Sequence, residues 1–372
     1  MNFTPEVVIK SPGRINLIGE HLDYNGGHVL PAAIDLTVTL RLRKKNSRSC
    51  TIYSKSIDDS FQVDLDKLEI SSQEWHNYFL GVIHFTEQRY PGHISGFDCI
   101  VESNLPIGSG VSSSAALECG IAVALKNLFD IPVTDEEIIY IARDAEHHFV
   151  GTKCGIMDQF AVVRGKKEKL IQLNCHDLSF DYVPAELSPY AIVLLNTNVS
   201  HNLATSEYNL RRQECEAALE IVRKRYPVYE ALAHIPKKIV QEHEKEMTPK
   251  MFQRAEYVIE ENQRTLQASL ALAKQNLPDF GALLFASHTG LSEKYEVSCP
   301  ELDFLVKQAH HHPNVIGARM MGGGFGGCTI NLVHKDHMDS FIEHTALAYQ
   351  KKFQIELTPH TVKIGDGVQL IL

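Results

Sequence analysis

The chain has no run of 18 apolar residues, so no segment reads as a membrane-spanning helix. It has no Cys-x-x-Cys pair and no histidine cluster at zinc spacing. Its eight cysteines (50, 99, 119, 154, 175, 215, 299 and 328) are scattered, a pattern of reduced, mostly buried thiols and not of a disulfide framework or metal cage. Positive charge is scarce: 36 Lys and Arg against 46 Asp and Glu leave a net charge of −10. The phosphate attraction that drives nucleic-acid or anionic-membrane binding becomes repulsion at that sign, so neither partner is expected. The opening MNFTPEVVIK lacks a cationic stretch followed by an apolar core, so it does not read as a secretory signal and a cytoplasmic location is expected. Internal repeats and low-complexity stretches are also missing.

What is present is ordinary globular chain. Hydrophobic residues make up 44% and charged residues 22% of 372 residues, which predicts a soluble protein of two domains at about 150 residues each. Val38, Leu40 and Leu42 alternate with Thr39, Arg41 and Arg43, the period of a half-buried strand. Leu117, Ile121, Leu125 and Leu128 then fall at helical spacing. Thr134 and Glu137 make a capping box ahead of Ile138, Ile141, Ala145 and Phe149, with Gly151 as the stop. The run from Ala191 to Asn198 reads as a buried strand, as does Cys328 to His334. Helices are expected at roughly 203–225, 255–276 and 300–311. Strands and helices do not alternate regularly, which predicts an α+β fold. The punctuation at Asp181, Pro184, Ser188 and Pro189 places the domain boundary there, giving domains 1–185 and 186–372.

Four segments carry chemistry. Pro12 to Gly27 (PGRINLIGEHLDYNGG) gathers Arg14, Glu20, His21 and Asp23 ahead of Tyr24 and the turn Asn25-Gly26. It offers donors and acceptors to a polyhydroxylated ligand, or alternatively a hairpin turn with solvated charges. Leu105 to Glu118 (LPIGSGVSSSAALE) sets Gly108, Ser109 and Gly110 before serines that open a helix, a suitable phosphate site or simply a serine cap after a glycine loop. It is neither a Walker-type loop nor a Rossmann fingerprint. His147 to Phe160 (HHFVGTKCGIMDQF) places Asp158 among apolar neighbours, as a base or as a structural hydrogen-bonding carboxylate. Glu146, just upstream, falls in the last turn of the capped helix, where a carboxylate opposes the dipole unless a cation compensates. Met321 to Cys328 (MGGGFGGC) packs five glycines into six residues from Gly322, which requires a tight loop against a ligand or against another segment.

In this order the four segments resemble the GHMP small-molecule kinases, and within that family the branch that phosphorylates galactose. SEYNLRR (Ser206 to Arg212) and VSCPELD (Val297 to Asp303) add to the likeness, which runs from about residue 10 to the end. The resemblance implies an N-terminal domain like domain 2 of ribosomal protein S5, an α+β C-terminal GHMP kinase domain and an active site between them. It also implies transfer of phosphate from ATP to the anomeric hydroxyl of galactose, with Mg²⁺ as cofactor, feeding galactose metabolism. By position, Asp158 matches the catalytic base and Arg14 the arginine assisting the reacting hydroxyl. Glu20, His21, Leu22 and Asp23 match the residues around the sugar, joined by Asp158 and Tyr208. Gly108, Ser109, Gly110, Val111, Ser112, Ser113 and Ser114 match the phosphate loop, and Ser114 with Glu146 the magnesium ligands. Trp75 matches a segment near the adenine, as a core residue or a stacking platform. Leu22 and Met321 stand where this branch commonly has threonine. No obligatory protein partner is implied. A kinase for another hexose or amino sugar, and a non-catalytic galactose and ATP sensor, are the alternative readings.

Overall fold

A computed structural model describes residues 3–106, 108–200 and 204–372. Met1, Asn2, Ile107 and Leu203, which fall in segments discussed above, lie outside these residues.

The alternating run Val38–Arg43 lies inside the strand Pro31–Lys44, its Val38, Leu40 and Leu42 buried and the intervening residues half-buried. That strand is the third of a six-stranded sheet ordered Gln369–Leu370, Val7–Asn16, Pro31–Lys44, Phe97–Ser103, Ser49–Ser54 and Asp59–Asp64. All its pairings are antiparallel except that of Ser49–Ser54 with Phe97–Ser103. The serine-opened helix Ser113–Leu128 packs on this sheet. Gly120 sets the distance, since a Cβ there would lie 2.8 Å from Leu40 Cδ1 and 2.9 Å from Ser11 Cβ. Close seating of that helix carries its N-terminus to the mouth of the strand Val7–Asn16, where the site forms.

The helix Asp135–Ala145 has the expected capping box: Thr134 accepts from the Glu137 N–H (3.2 Å) and the Glu137 carboxylate accepts from the Thr134 N–H (2.9 Å). It does not stop at Glu146. A single wide π-turn, Glu146–Val150, follows and ends at Gly151 with φ +92°, so Glu146 is buried inside a helical bend and is not a solvated terminal charge. Pro249–Ala273 starts six residues before the expected helix, because Thr248 caps the Met251 N–H (3.2 Å) and Pro249 fits the first turn. Ala204–Arg223 and Pro300–His311 run closely as expected.

A second, fully antiparallel sheet is ordered Val315–Met320, Gly326–His334, Tyr190–Ser200, Thr358–Val362. Its two central strands read as unbroken apolar runs because both faces are covered. Ile192, Leu194, Ile330 and Leu332 join the core that also holds Leu40, Cys99, Cys119 and Ile141. Val193, Leu195 and Val333 pack on the other face with Leu305, Phe341 and Tyr349. A third cluster, including Leu22, Val29, Met157, Phe160, Tyr257 and Tyr295, lies under the first polar segment. Beside it runs a small sheet of His28–Val29, Lys169–Asn174 and Phe180–Pro184.

Candidate active site

The site is built around an ion pair between a buried arginine and a half-buried aspartate from two distant segments. The strand Val7–Asn16 is irregular between Pro12 and Arg14. At Gly13 a Cβ would meet Leu105 Cδ2 at 2.5 Å and the Val111 oxygen at 2.9 Å, so only glycine admits the serine loop against the strand. Arg14 then donates Nε to Asp158 Oδ1 (2.8 Å), Nη2 to Asp158 Oδ2 (2.9 Å) and Nη1 to the Gly110 carbonyl. Its backbone N–H bonds the Val111 carbonyl (3.0 Å). Burial works against the guanidinium charge, and Asp158, with Glu20 and Asp23 behind it, more than offsets that effect and raises the Arg14 pKa. Asp158 sits in the first turn of the helix Met157–Arg164, where the helix dipole favours a carboxylate.

The serine loop does not use a serine as a cap. Ser112 adopts a left-handed conformation (φ 55°, ψ 56°), makes no capping bond, and instead donates its hydroxyl to Asp158 Oδ2. The helix Ser113–Leu128 therefore presents an N-terminus without a side-chain cap to the cavity, between Gly108 and Gly110, both at positive φ. Met321–Cys328 closes over this loop backbone to backbone. A Cβ on Gly322 would lie 3.3 Å from the Gly110 oxygen, and one on Gly324 would lie 2.1 Å from the Val297 oxygen. Loop-on-loop crowding thus accounts for Gly324, while Gly322 and Gly323 also line the cavity.

The first polar segment turns Leu22 away from its polar neighbours. His21 has φ +62° and precedes the short turn Asp23–Asn25. His21 and Asp23 line the cavity, whereas Leu22 is fully buried in the apolar cluster with Val29. Glu20 Oε1 accepts from the Gly322 N–H (2.7 Å) and Arg319 Nη2 (3.1 Å), and Oε2 accepts from Asn16 Nδ2 (3.1 Å). Three protein donors therefore hold a carboxylate with about four acceptor positions. Asp23 approaches the chain at Gly155, where a Cβ would lie 2.1 Å from its Oδ2. Burial first, then Asp158 and Glu20, push its pKa up to about 7. Burial, with Arg211 behind it, drives His21 down to about 3, so its ring is neutral at pH 7.

Glu146 also lines the cavity, and burial raises its pKa to about 7, opposed by the neighbouring Glu118 carboxyl and Ser114 hydroxyl. Its Oε2 is buried without a hydrogen-bond partner. Glu118, one turn along the serine helix, is fully buried against it and is pushed well above the usual carboxylate range by burial and then by Glu146.

Arg14, Glu20, His21, Asp23, Asp158, Tyr208, Glu146, Gly108, Gly110 and Ser112–Ser114 thus surround one cavity of about 270 Å³. Three of the residues matched by position to the sugar and the phosphate loop do not line it. Leu22 and Val111 are buried in apolar clusters, and the Ser109 hydroxyl bonds the Pro106 carbonyl (2.7 Å). Trp75 packs edge-on against Phe61 with its Nε1 on Asp59 Oδ2 (3.1 Å), at the far edge of the six-stranded sheet. Sequence reasoning missed Tyr78, Gly155, Glu118 and Arg319. Only Gly155 carried a signal, as a glycine two residues after Lys153 in a segment already singled out.

Three family models match the chain. Residues 77–166 match the GHMP kinases N terminal domain, residues 268–346 the GHMP kinases C terminal domain, and residues 2–44 the galactokinase galactose-binding signature. The fold is that of a GHMP kinase. The chain is 42% identical over 364 residues to a galactokinase of Thermotoga neapolitana, covering 98% of this chain and 99% of the relative. It is 40% identical to that of Staphylococcus carnosus, covering 100% and 96%. The crystal structure of Lactococcus lactis galactokinase complexed with galactose superposes with a TM-score of 0.94 at 36% identity, covering 98% and 95% of the two chains. Methanococcus jannaschii mevalonate kinase shares the fold at a TM-score of 0.70 and 19% identity, over 98% and 100%. The chain belongs to the galactokinase family.

Proposed function

We propose that this protein phosphorylates D-galactose at its anomeric hydroxyl with ATP, giving α-D-galactose 1-phosphate and ADP. The observation that carries the reading is the Arg14–Asp158 pair, held in one cavity between the sugar-signature residues and the uncapped serine helix. Asp158 accepts the hydroxyl proton. Arg14 orients that carboxylate and neutralises charge on the reacting oxygen. Glu20, His21, Asp23 and Tyr208 surround the sugar, and Gly108 to Ser114 with the helix N-terminus receive the phosphates. Such transfer is mainly positioning and charge stabilisation, because its transition state is loose.

Ser114 and Glu146 are the residues that would hold Mg²⁺. The fit rests on the partnerless buried Oε2 of Glu146 and on its raised pKa, a penalty that a divalent cation relieves. Among the described residues no group of three His, Cys, Asp or Glu forms a protein-only cage, in keeping with a metal held by one carboxylate and substrate phosphates. When bound, the ion supplies charge neutralisation on the transferring phosphate. The domain division is proposed at 185/186, between the family-model matches at 77–166 and 268–346. A cytoplasmic enzyme is the reading kept; among the described residues no helix is long and apolar enough to cross a membrane.

The test is a coupled assay of ADP release over a panel of hexoses and amino sugars. Turnover of galactose well above the others is expected. Preference for another sugar, or binding of galactose and ATP without turnover, would overturn the reading.

A further inference from the structure

Behind His21 lies a chain of buried polar atoms that nothing in the phosphoryl transfer uses. His21 Nδ1 meets the Tyr24 hydroxyl at 2.8 Å, Tyr24 meets the Tyr295 hydroxyl at 2.8 Å, and Tyr295 meets Cys215 Sγ at 3.2 Å. Tyr295 and Cys215 are almost fully buried. The backbone of Tyr295 is fixed in turn by Arg211 Nε on its carbonyl (2.9 Å). At the other end, His21 Nε2 is buried, has no hydrogen-bond partner within normal geometry, and belongs to a ring that lines the cavity.

Such a chain can run in either of two directions, and its members are not equal. If Nδ1 carried the proton, each hydroxyl would donate outward and the last strong O–H donor would end on sulfur, a weak acceptor. In the opposite direction every O–H meets oxygen or nitrogen, and the weak S–H donor starts the chain. Near the histidine, the Asn25 amide gives one N–H to the His21 carbonyl (2.7 Å) and so holds the backbone that carries the ring. On the cavity side, the backbone of Gly323 lies close enough to favour a proton on the ring.

We propose that the relay Cys215 S–H → Tyr295 O–H → Tyr24 O–H → His21 Nδ1 locks His21 as the neutral Nε2–H tautomer. His21 then offers the sugar a hydrogen-bond donor and never an acceptor. Tyr24 and Tyr295 are positioning residues for sugar recognition, acting through His21. This complements its neighbours, because the Glu20 and Asp23 carboxylates, when ionised, offer acceptors only. The part that concerns the sugar rests on the galactose reading above; the tautomer does not.

Two measurements on the full chain separate these. Multiple-bond ¹H–¹⁵N correlation at pH 7, with the His21 signals assigned by their loss in His21→Asn (a residue that tolerates the positive φ), is expected to place the proton on Nε2. A proton on Nδ1 overturns the proposal whether or not galactose is the substrate. In the ADP-release assay, Tyr295→Phe keeps the ring and cuts the relay. It should raise the galactose KM about five- to tenfold while moving the ATP KM less than about twofold. Cys215→Ser, which keeps a donor, should stay near wild type, and Cys215→Ala should not. Equal changes in both KM values would mark Tyr295 as a packing residue, and an unchanged galactose KM would remove the relay from recognition. Either result overturns its role.

Discussion

Gly155→Ala is the sharpest test of how the signature segment is held. Gly155 has no left-handed backbone requirement, so alanine is excluded there by contact alone. Its Cβ would lie 2.1 Å from Asp23 Oδ2, 2.2 Å from Cγ and 2.7 Å from Cβ. Relief requires the carboxyl, or the strand of chain carrying Gly155, to move by roughly 1 Å, a displacement that costs on the order of 10²-fold when it misplaces a substrate-holding group. Overpacking of this kind also costs about 1–3 kcal/mol, a fall in Tm of about 2–10 °C. The expected result is a loss of about 10²-fold in kcat/KM for galactose, with the ATP KM within about twofold. Asp23→Ala added to Gly155→Ala removes the contacts at 2.1 and 2.2 Å and leaves only the one at 2.7 Å. The double variant should therefore regain most of the lost Tm without regaining sugar affinity, a coupling read directly from the double-mutant cycle. If Gly155→Ala keeps galactose kcat/KM within threefold of wild type, Asp23 is not held as described.

Further outcomes follow from the same geometry. Asp158→Asn turns an NH₂ toward the Arg14 guanidinium, so kcat should fall about 10²–10⁴-fold and Tm should fall with it, while calorimetry still detects galactose binding; retention of more than a tenth of kcat would reject Asp158 as the base. The Asp23 pKa is raised from 3.8 to about 7, so its favourable contribution is complete below about pH 4 and lost as pH rises through 7. The Tm of the wild type should accordingly drop relative to Asp23→Asn between pH 5 and pH 8, and a constant difference would count against the buried placement. Leu22→Ala empties a core position, so it should cost about 2–5 kcal/mol in denaturant unfolding and leave the galactose KM within about twofold; a sugar-specific defect would return Leu22 to the site.

Legibility from sequence followed the range of the interaction. The capping box of Thr134 and Glu137 was readable because its atoms lie three residues apart, and the buried strands were readable because both sheet faces are apolar. The polar cluster Glu20–Asp23 was visible as a cluster, yet its internal division was not. The left-handed backbone at His21 and the turn after it send Leu22 into the core while its neighbours face the cavity. No residue-type pattern announces a positive φ at histidine.

The groups that stayed hidden are those whose meaning comes only from a distant partner. Arg319 looks like an interruption in the apolar strand Val315–Met320, yet it is fully buried and reaches Glu20 across 299 positions of sequence, donating also to the Leu17 carbonyl (2.6 Å). Leaving such a guanidinium uncompensated in the interior would cost several kcal/mol, so a buried arginine in an apolar strand demands a carboxylate somewhere. The sequence offers 46 candidates and nothing in periodicity selects among them. Glu118 is a second such residue: a carboxyl on the buried face of a helix, pushed well above the usual carboxylate range by burial and by Glu146, which the π-turn brings against it. Charged residues at core positions of regular elements are therefore the places where a one-dimensional reading should expect a site it cannot yet see. Here both of them back the residues that face the cavity.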